Sequence, residues 1–423
     1  MVVSVAGRTV ALEAGLALRT LRSEVLALPR PARLWLGLLG ALLLFGAYGA
    51  VRSLPPGDAV FGTSAKVEWG ILIAAYVFFA VTTSGLCLVS SLGHIFGVAV
   101  FMPVARRAVT LAIASLLAAF MIIILDLHYP IRLVLGAVLR PSPTSPMWWM
   151  GTVYAIYLAV LFVELAAMLG HRERLARFAG GVAVVAAVVA PSTLGAVFGV
   201  LSSRPFWYGA FVPAYFVVSA LLSGAALLGA VFYLVERFRL RGHLAAGPRV
   251  VLALGRVLAL VIAIAAALTA WRMIGGLSSE VPGLAEATNA QLYGPLAVQF
   301  WVFKVAIGLV VPGAILLIPW TRTPLGVFVA SCLAFLGIFA DRLSFVDAGQ
   351  IAPAANVAGT VLPYAEYTPT LVEIAVVAGA IGIVGFLYTV AERFLDLGAG
   401  HRRRRTATAA AAVPAAGPMV GVL

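Results

Sequence analysis

The sequence predicts an all-α integral membrane protein of ten transmembrane helices, arranged as two four-helix bundles plus flanking helices. Three observations carry that prediction. Hydrophobic residues make up 63% of the 423 residues and charged residues only 11%, with a mean hydropathy of +1.07. A soluble chain has about 25% charged residues, so this one cannot cover a water-facing surface. The apolar runs are about twenty residues long, the length of a helix that crosses a bilayer. They are rich in Leu, Ala and Val and lack the alternation of barrel strands. In lipid every backbone polar group must be satisfied within the segment, which helices do.

The spans read at 34–51, 69–93, 104–127, 148–169, 176–201, 208–235, 250–274, 296–319, 325–340 and 370–391. The ninth is short, and it follows the eighth across Pro319-Trp320-Thr321-Arg322-Thr323-Pro324. Residues 1–33 form an N-terminal extension, 34–395 the membrane domain, and 396–423 a basic tail, expected to be disordered beside anionic lipid. Residues 1–31 mix Arg and Glu ahead of the first long apolar run, so no cleavable signal is expected.

Orientation follows from counting Lys and Arg in the loops. With the N-terminus in the cytoplasm, twenty of the 29 fall on the inner side, among them Arg106, Arg107, Arg172, Arg174, Arg177 and Arg402 to Arg405. Seven fall outside: Arg52, Lys66, Arg132, Arg140, Arg204, Arg272 and Arg342. Arg256 and Lys304 lie within spans. The excess holds loop by loop, which places both ends in the cytoplasm. It also accounts for the pI of 10.3; the partner of this positive charge is the lipid bilayer, with no nucleic acid implied.

An internal repeat is visible. Tyr76 precedes Ser84-Gly85 by the same spacing as Tyr215 precedes Ser223-Gly224, and each motif follows a tryptophan, Trp69 or Trp207. Spans two to five and six to nine would then be equivalent four-helix units.

Ionisable groups inside a bilayer are costly and mark functional sites. Most gather toward the outer side: Glu68 and Trp69 open span two, Asp126-Leu127-His128-Tyr129-Pro130-Ile131-Arg132 closes span three, and Arg272 closes span seven. Asp341 and Arg342 close span nine, Glu373 sits in the first turns of span ten, and Lys304 in the upper half of span eight. Acid, base and Arg at one depth can hydrogen-bond a polar head group and exchange protons with it. Arg140, Arg204 and Glu280 read as interfacial caps. On the inner side His94 ends span two as an interfacial histidine, and Glu164 lies among Phe162, Val163, Leu165 and Ala166. An unpaired carboxylate there is expensive, which makes Glu164 a proton-path candidate.

Other chemistries lack their residues. A b-type haem needs two facing ligands at one depth, whereas His94 and His128 lie at opposite surfaces and His171, His243 and His401 in loops or the tail. No haem and no metal are expected. Cys87 and Cys332 are too few and too dispersed for a disulfide framework or a cluster, and there is no phosphate-binding Gly-rich loop.

These residues, in this order, resemble the NrfD-like membrane subunits of polysulfide reductase and related complexes. The ten-span branch typified by uptake-hydrogenase and sulfite-reduction-associated menaquinol-oxidising subunits is most similar. The resemblance rests on four stretches within 68–395. They are Glu68-Trp69-Gly70 with Gly85 and the Asp126–Arg132 helix end; Ser145-Pro146-Met147-Trp148 through Tyr157 and Glu164; Arg204-Pro205-Phe206-Trp207 with Pro213, Ser219 and Gly224; and Asp341-Arg342 with Tyr367-Thr368-Pro369-Thr370-Leu371-Val372-Glu373. It implies a quinone (menaquinone or ubiquinone) bound near the outer face of a bacterial cytoplasmic membrane. It also implies a ferredoxin-like iron-sulfur partner, a separate catalytic redox subunit and, in some members, proton conduction. Asp126, His128 and Glu164 are then the residues expected to move protons. Glu68, Trp69, His128, Arg132, Arg342 and Glu373 are expected to hold the quinone. One departure stands out: after Phe300-Trp301-Val302-Phe303, where the family often has an acid, this chain has Lys304. The alternatives left open are a secondary transporter and a structural anchor without its own quinone.

Overall fold

The computed structural model describes residues 29–54, 60–127, 141–239, 247–352, 363–395 and 397–398. Among the described residues ten helices are long and apolar enough to cross a membrane. They are α1 (Arg30–Ser53), α2 (Ile71–His94), α3 (Ala105–Asp126), α4 (Pro146–Leu169), α5 (Glu173–Gly199), α6 (Phe211–Arg239) and α7 (Gly247–Leu277). A short α8 (Leu284–Leu292) follows, then a π-helix (Gln299–Val310) that continues as α9 (Val311–Leu317) to make the eighth crossing. α10 (Pro324–Ile351) and α11 (Leu371–Phe394) complete the set. Several starts are written in the sequence: Ser145 caps α4 and Thr323 caps α10, each with Pro at the first helical position. Thr370 and Glu373 form a reciprocal capping box on α11.

The ninth crossing runs eleven residues beyond the expected 325–340, so Asp341 and Arg342 lie inside α10 and do not close it. Hydropathy reads a charged pair as the exit from lipid. Here both side chains are buried and partnered within protein, and the helix continues to Ile351.

α2 and α6 form the centre. The first bundle is α2 to α5, and the second is α6, α7, the π-helix with α9, and α10, while α1 packs on α11 at the periphery. The two bundles meet at repeat-equivalent positions: Gly85 of α2 abuts Gly224 of α6, and Trp69 stacks on Trp207 at 5.1 Å. Contact of equivalent residues before the helix starts and again at mid-helix makes α2 and α6 run in the same direction. Any side chain at Gly85 would strike the Ala220 carbonyl. Close glycine crossings recur at Gly46–Gly379 and Gly308–Gly337. Small residues let helix backbones approach in lipid, where no hydrophobic force draws them together.

One end of the molecule carries Arg106, Arg172, Arg174 and Arg177; the other carries Trp69. Reporter fusions after Arg174 and after Arg204 are expected to report the cytoplasm and the opposite side respectively. Both on one side would contradict the loop-charge reading.

Candidate functional site

At the Trp69 end the backbone of Trp69 is held on both sides by one amide. Its N–H donates to Gln350 Oε1 at 2.9 Å, and its carbonyl accepts from Gln350 Nε2 at 2.8 Å. Arg204 donates to the Gln350 carbonyl at 3.2 Å, so the arginine read as a cap ties the loop before α6 to the end of α10. The indole of Trp69 stacks on Trp207 at 5.1 Å, and Phe198 meets both rings edge-on at 5.2 Å. Trp207 donates to the Phe345 carbonyl at 2.9 Å. The result is a rigid aromatic shelf, with Trp69 half-buried and Glu68 exposed beside it.

Glu373 is buried and fully engaged. Its carboxylate accepts from Gly62 N, Thr370 N, the Thr370 hydroxyl and the Tyr367 hydroxyl. It therefore knots the 60–70 segment to the start of α11, chiefly through Oε2, while Oε1 takes the Tyr367 hydroxyl. Tyr367 in turn accepts from Ile71 N at 2.7 Å. Burial, reinforced by Glu373, holds its phenol protonated well above the usual tyrosine range. Asp126 is the last residue of α3 at this same end. His128 and Arg132 lie outside the described residues.

A line of buried polar side chains descends through the first bundle from here. Tyr76 meets Met150 Sδ at 3.4 Å. Tyr154 and Ser84 adjoin one turn further, and Tyr157 donates to the Thr83 carbonyl at 3.5 Å beside Cys87. Glu164 follows, 2% exposed. Its carboxylate and the His94 ring both close on Gly180 of α5. Thus the structure brings together the carboxylate and the histidine that the sequence left apart. Arg106 of the neighbouring α3 donates to the Met168 carbonyl at 2.8 Å, at the Arg-rich mouth of the line. Among the described residues, Glu164 Oε2 and His94 Nε2 have no hydrogen-bond partner, and Ser84 Oγ and Tyr154 Oη adjoin each other without hydrogen-bond geometry. Buried polar atoms without protein partners are where proteins hold ordered water.

The second bundle is built differently. Lys304 of the π-helix pairs with Asp341 at 2.6 Å, and Tyr215 donates to the same carboxylate at 2.9 Å. Arg342 donates to Ser219 and lies over the Phe216 ring at 4.4 Å. Arg272 lies over Phe206 at 4.1 Å and donates to its carbonyl at 2.7 Å. Arg342 is 1% exposed, and the Phe216 ring beneath it meets Phe198 of the Trp69 shelf at 5.8 Å; among the described residues its Nη1 has no partner. The residues that sequence reasoning missed are Gln350, Asp347 and the pairing of Asp341 with Lys304. Their common signal is the polar spacing Asp341, Ser344, Asp347, Gln350, which marks one stripe of a continuing helix.

This is a multi-pass helical membrane protein made of two parallel-repeat four-helix bundles, one holding a tyrosine–carboxyl–histidine line and the other an internal ion pair. The chain belongs to the NrfD family: the family model described as "Polysulphide reductase, NrfD" matches residues 59–354. Among its relatives is the Hdr-like menaquinol oxidoreductase integral membrane subunit of Archaeoglobus fulgidus, 29% identical over 377 residues, covering 85% of this chain and 92% of that protein. A selenate reductase subunit of Mesobacillus selenatarsenatis is 25% identical over 85% of this chain and 92% of its own. A putative dimethyl sulfoxide reductase membrane subunit of Halobacterium salinarum is 28% identical over 86% and 91%.

Proposed function

We propose that this chain is the quinone-interacting membrane subunit of a respiratory redox complex. It exchanges electrons between a quinol pool and an iron-sulfur partner docked at the Trp69 end, in a cytoplasmic membrane with its Arg-rich end inside. The terminal chemistry belongs to a separate subunit. The observation that carries this reading is the polar line of the first bundle, which joins the Trp69 end to the Arg-rich end through Glu164 and His94. Quinone chemistry moves two protons with two electrons, so a quinone site embedded in lipid needs both a local base and a proton route. Asp126 and His128 are placed by sequence at the Trp69 end to supply the base, with Arg132 to hold the charge. The Trp69–Trp207 shelf suits a flat head group. Relatives named as a menaquinol oxidoreductase subunit and as reductase subunits support the same class.

A carboxyl buried as deeply as Glu164 is costly to keep unless it exchanges a proton or meets water. A purely structural anchor has no use for it. An inverted-repeat transporter is disfavoured by the parallel packing of α2 on α6.

Glu164→Gln keeps the volume and removes the exchangeable proton. It is expected to slow quinol-linked turnover of the assembled complex by tenfold or more, with every subunit still present at its wild-type level, as removal of a positioned proton donor does by about 10²–10⁴. Unchanged turnover together with unchanged proton uptake would remove the line from the mechanism.

A further inference from the structure

We propose that the Trp69 end of the second bundle binds a small monovalent cation, Na+ in the first instance, between Asp347, Gln291 and Gln299. The argument begins with the π-helix. A π turn closes on the fifth residue, so Gln299, Lys304 and Gly308 fall near one face. In an α-helix positions five apart would point about 140° from each other. That face meets α10 in antiparallel register: Gln299 faces the Asp347 carboxylate, Lys304 takes Asp341, and Gly308 abuts Gly337.

One turn below Asp347, on the same stripe of α10, Gln291 of α8 donates through Nε2 to the Ser344 carbonyl at 3.3 Å and to its hydroxyl at 3.0 Å. A flipped amide would set oxygen against a carbonyl, so its orientation is fixed. Its Oε1 therefore points elsewhere. Among the described residues, three oxygens at this locus, Gln291 Oε1, Gln299 Oε1 and Asp347 Oδ1, are reached by no donor. Asp347 and Gln291 are 4% and 2% exposed.

All three are acceptors, and that decides the ligand class. Leaving a buried acceptor unmade costs its full desolvation, and an anion or a further carbonyl would add to the cost. Hard oxygen donors, with neither nitrogen nor sulfur, suit a group-1 or group-2 cation rather than a transition metal. One carboxylate and two neutral amides balance a single positive charge, which selects a monovalent ion. The neighbouring cations do not occupy the place. Lys304 is neutralised by Asp341, Arg342 faces Ser219 and Phe216, and Arg272 faces Phe206. Gln350, one turn above on the stripe, is fully used by Trp69. This site is separate from the polar line of the first bundle and does not depend on the quinone reading.

The test is thermal unfolding and calorimetric titration of the purified protein, with NaCl, KCl or LiCl against choline chloride at equal ionic strength. A saturable rise in Tm with Na+ is expected, and Asp347→Asn should weaken the apparent affinity about tenfold or more. Gln299→Met, which removes the amide oxygen at similar volume, should weaken it as well, and it keeps the test open if the Asp347 variant does not fold. A Tm that is the same in all four salts but rises as pH falls would overturn the proposal. A proton on Asp347 would then be satisfying the amide oxygens.

Discussion

His128→Ala is expected to lower quinol-linked electron transfer on the order of 10²-fold, with the partner subunits still assembled. Oxidising a quinol frees two protons with two electrons, and the base that takes the first must reach a head-group oxygen. Imidazole, with an unperturbed pKa of about 6.5, is largely in its basic form at neutral pH and can accept that proton. Asp126→Asn should fall similarly if the carboxylate relays the proton onward. Asp126 and His128 are two positions apart and would diverge by about 200° on a continuing helix. α3, however, ends at Asp126, and Leu127 is already extended, so the helical divergence no longer binds the two. Steady-state turnover with a soluble quinol analogue, at matched iron-sulfur content, checks this. Wild-type rate in the His128 variant removes the histidine from the mechanism.

The second large effect is on stability. Lys304→Met and Asp341→Leu are each expected to destabilise the second bundle by about 3–5 kcal/mol, because each strands a buried charge or donor. The Lys304→Met, Asp341→Leu double variant should recover most of that loss, since replacing both members of a buried ion pair with apolar groups of similar size is often neutral or better. The Tyr215 hydroxyl would lose its acceptor in the double variant, which sets the remaining deficit at about 1–3 kcal/mol. Thermal unfolding in detergent of the four proteins closes the cycle. Additive losses in the double variant would show that Lys304 and Asp341 do not act as a pair. The effect on turnover should be small, because this pair lies apart from the polar line of the first bundle.

The fold was legible where physics acts on single segments. Composition required lipid, and apolar length required crossings. The repeat was legible from Tyr76, Ser84 and Gly85 against Tyr215, Ser223 and Gly224. The structure gives the spacing its meaning by setting Gly85 on Gly224. What did not show was pairing between distant segments. Asp341 and Arg342 read as the end of a span because hydropathy cannot see Lys304 and Ser219 waiting for them. The π-helix has no residue signature of its own. Pro312 just after it lacks an N–H and crowds the carbonyl four residues earlier in an α-helix, a strain that wider preceding turns relieve. At the site, Glu164 was visible as a charge in an apolar run. Its neighbour His94 was not, since only the packing of α2, α4 and α5 around Gly180 joins them. Glu373 read as a ligand for a head group; what the sequence did not show is that its carboxylate accepts from Gly62, Tyr367 and Thr370 and so ties three segments together.

The most direct test is to isolate the chain from its native membrane with whatever subunits it holds, extract and quantify quinone, and follow iron-sulfur reduction on adding quinol. The account predicts a co-isolating iron-sulfur subunit and its reduction by quinol, abolished by an inhibitor that competes for the head-group site. Isolation of the chain with no iron-sulfur partner, or with one that quinol never reduces and whose electrons never reach quinone, would contradict it.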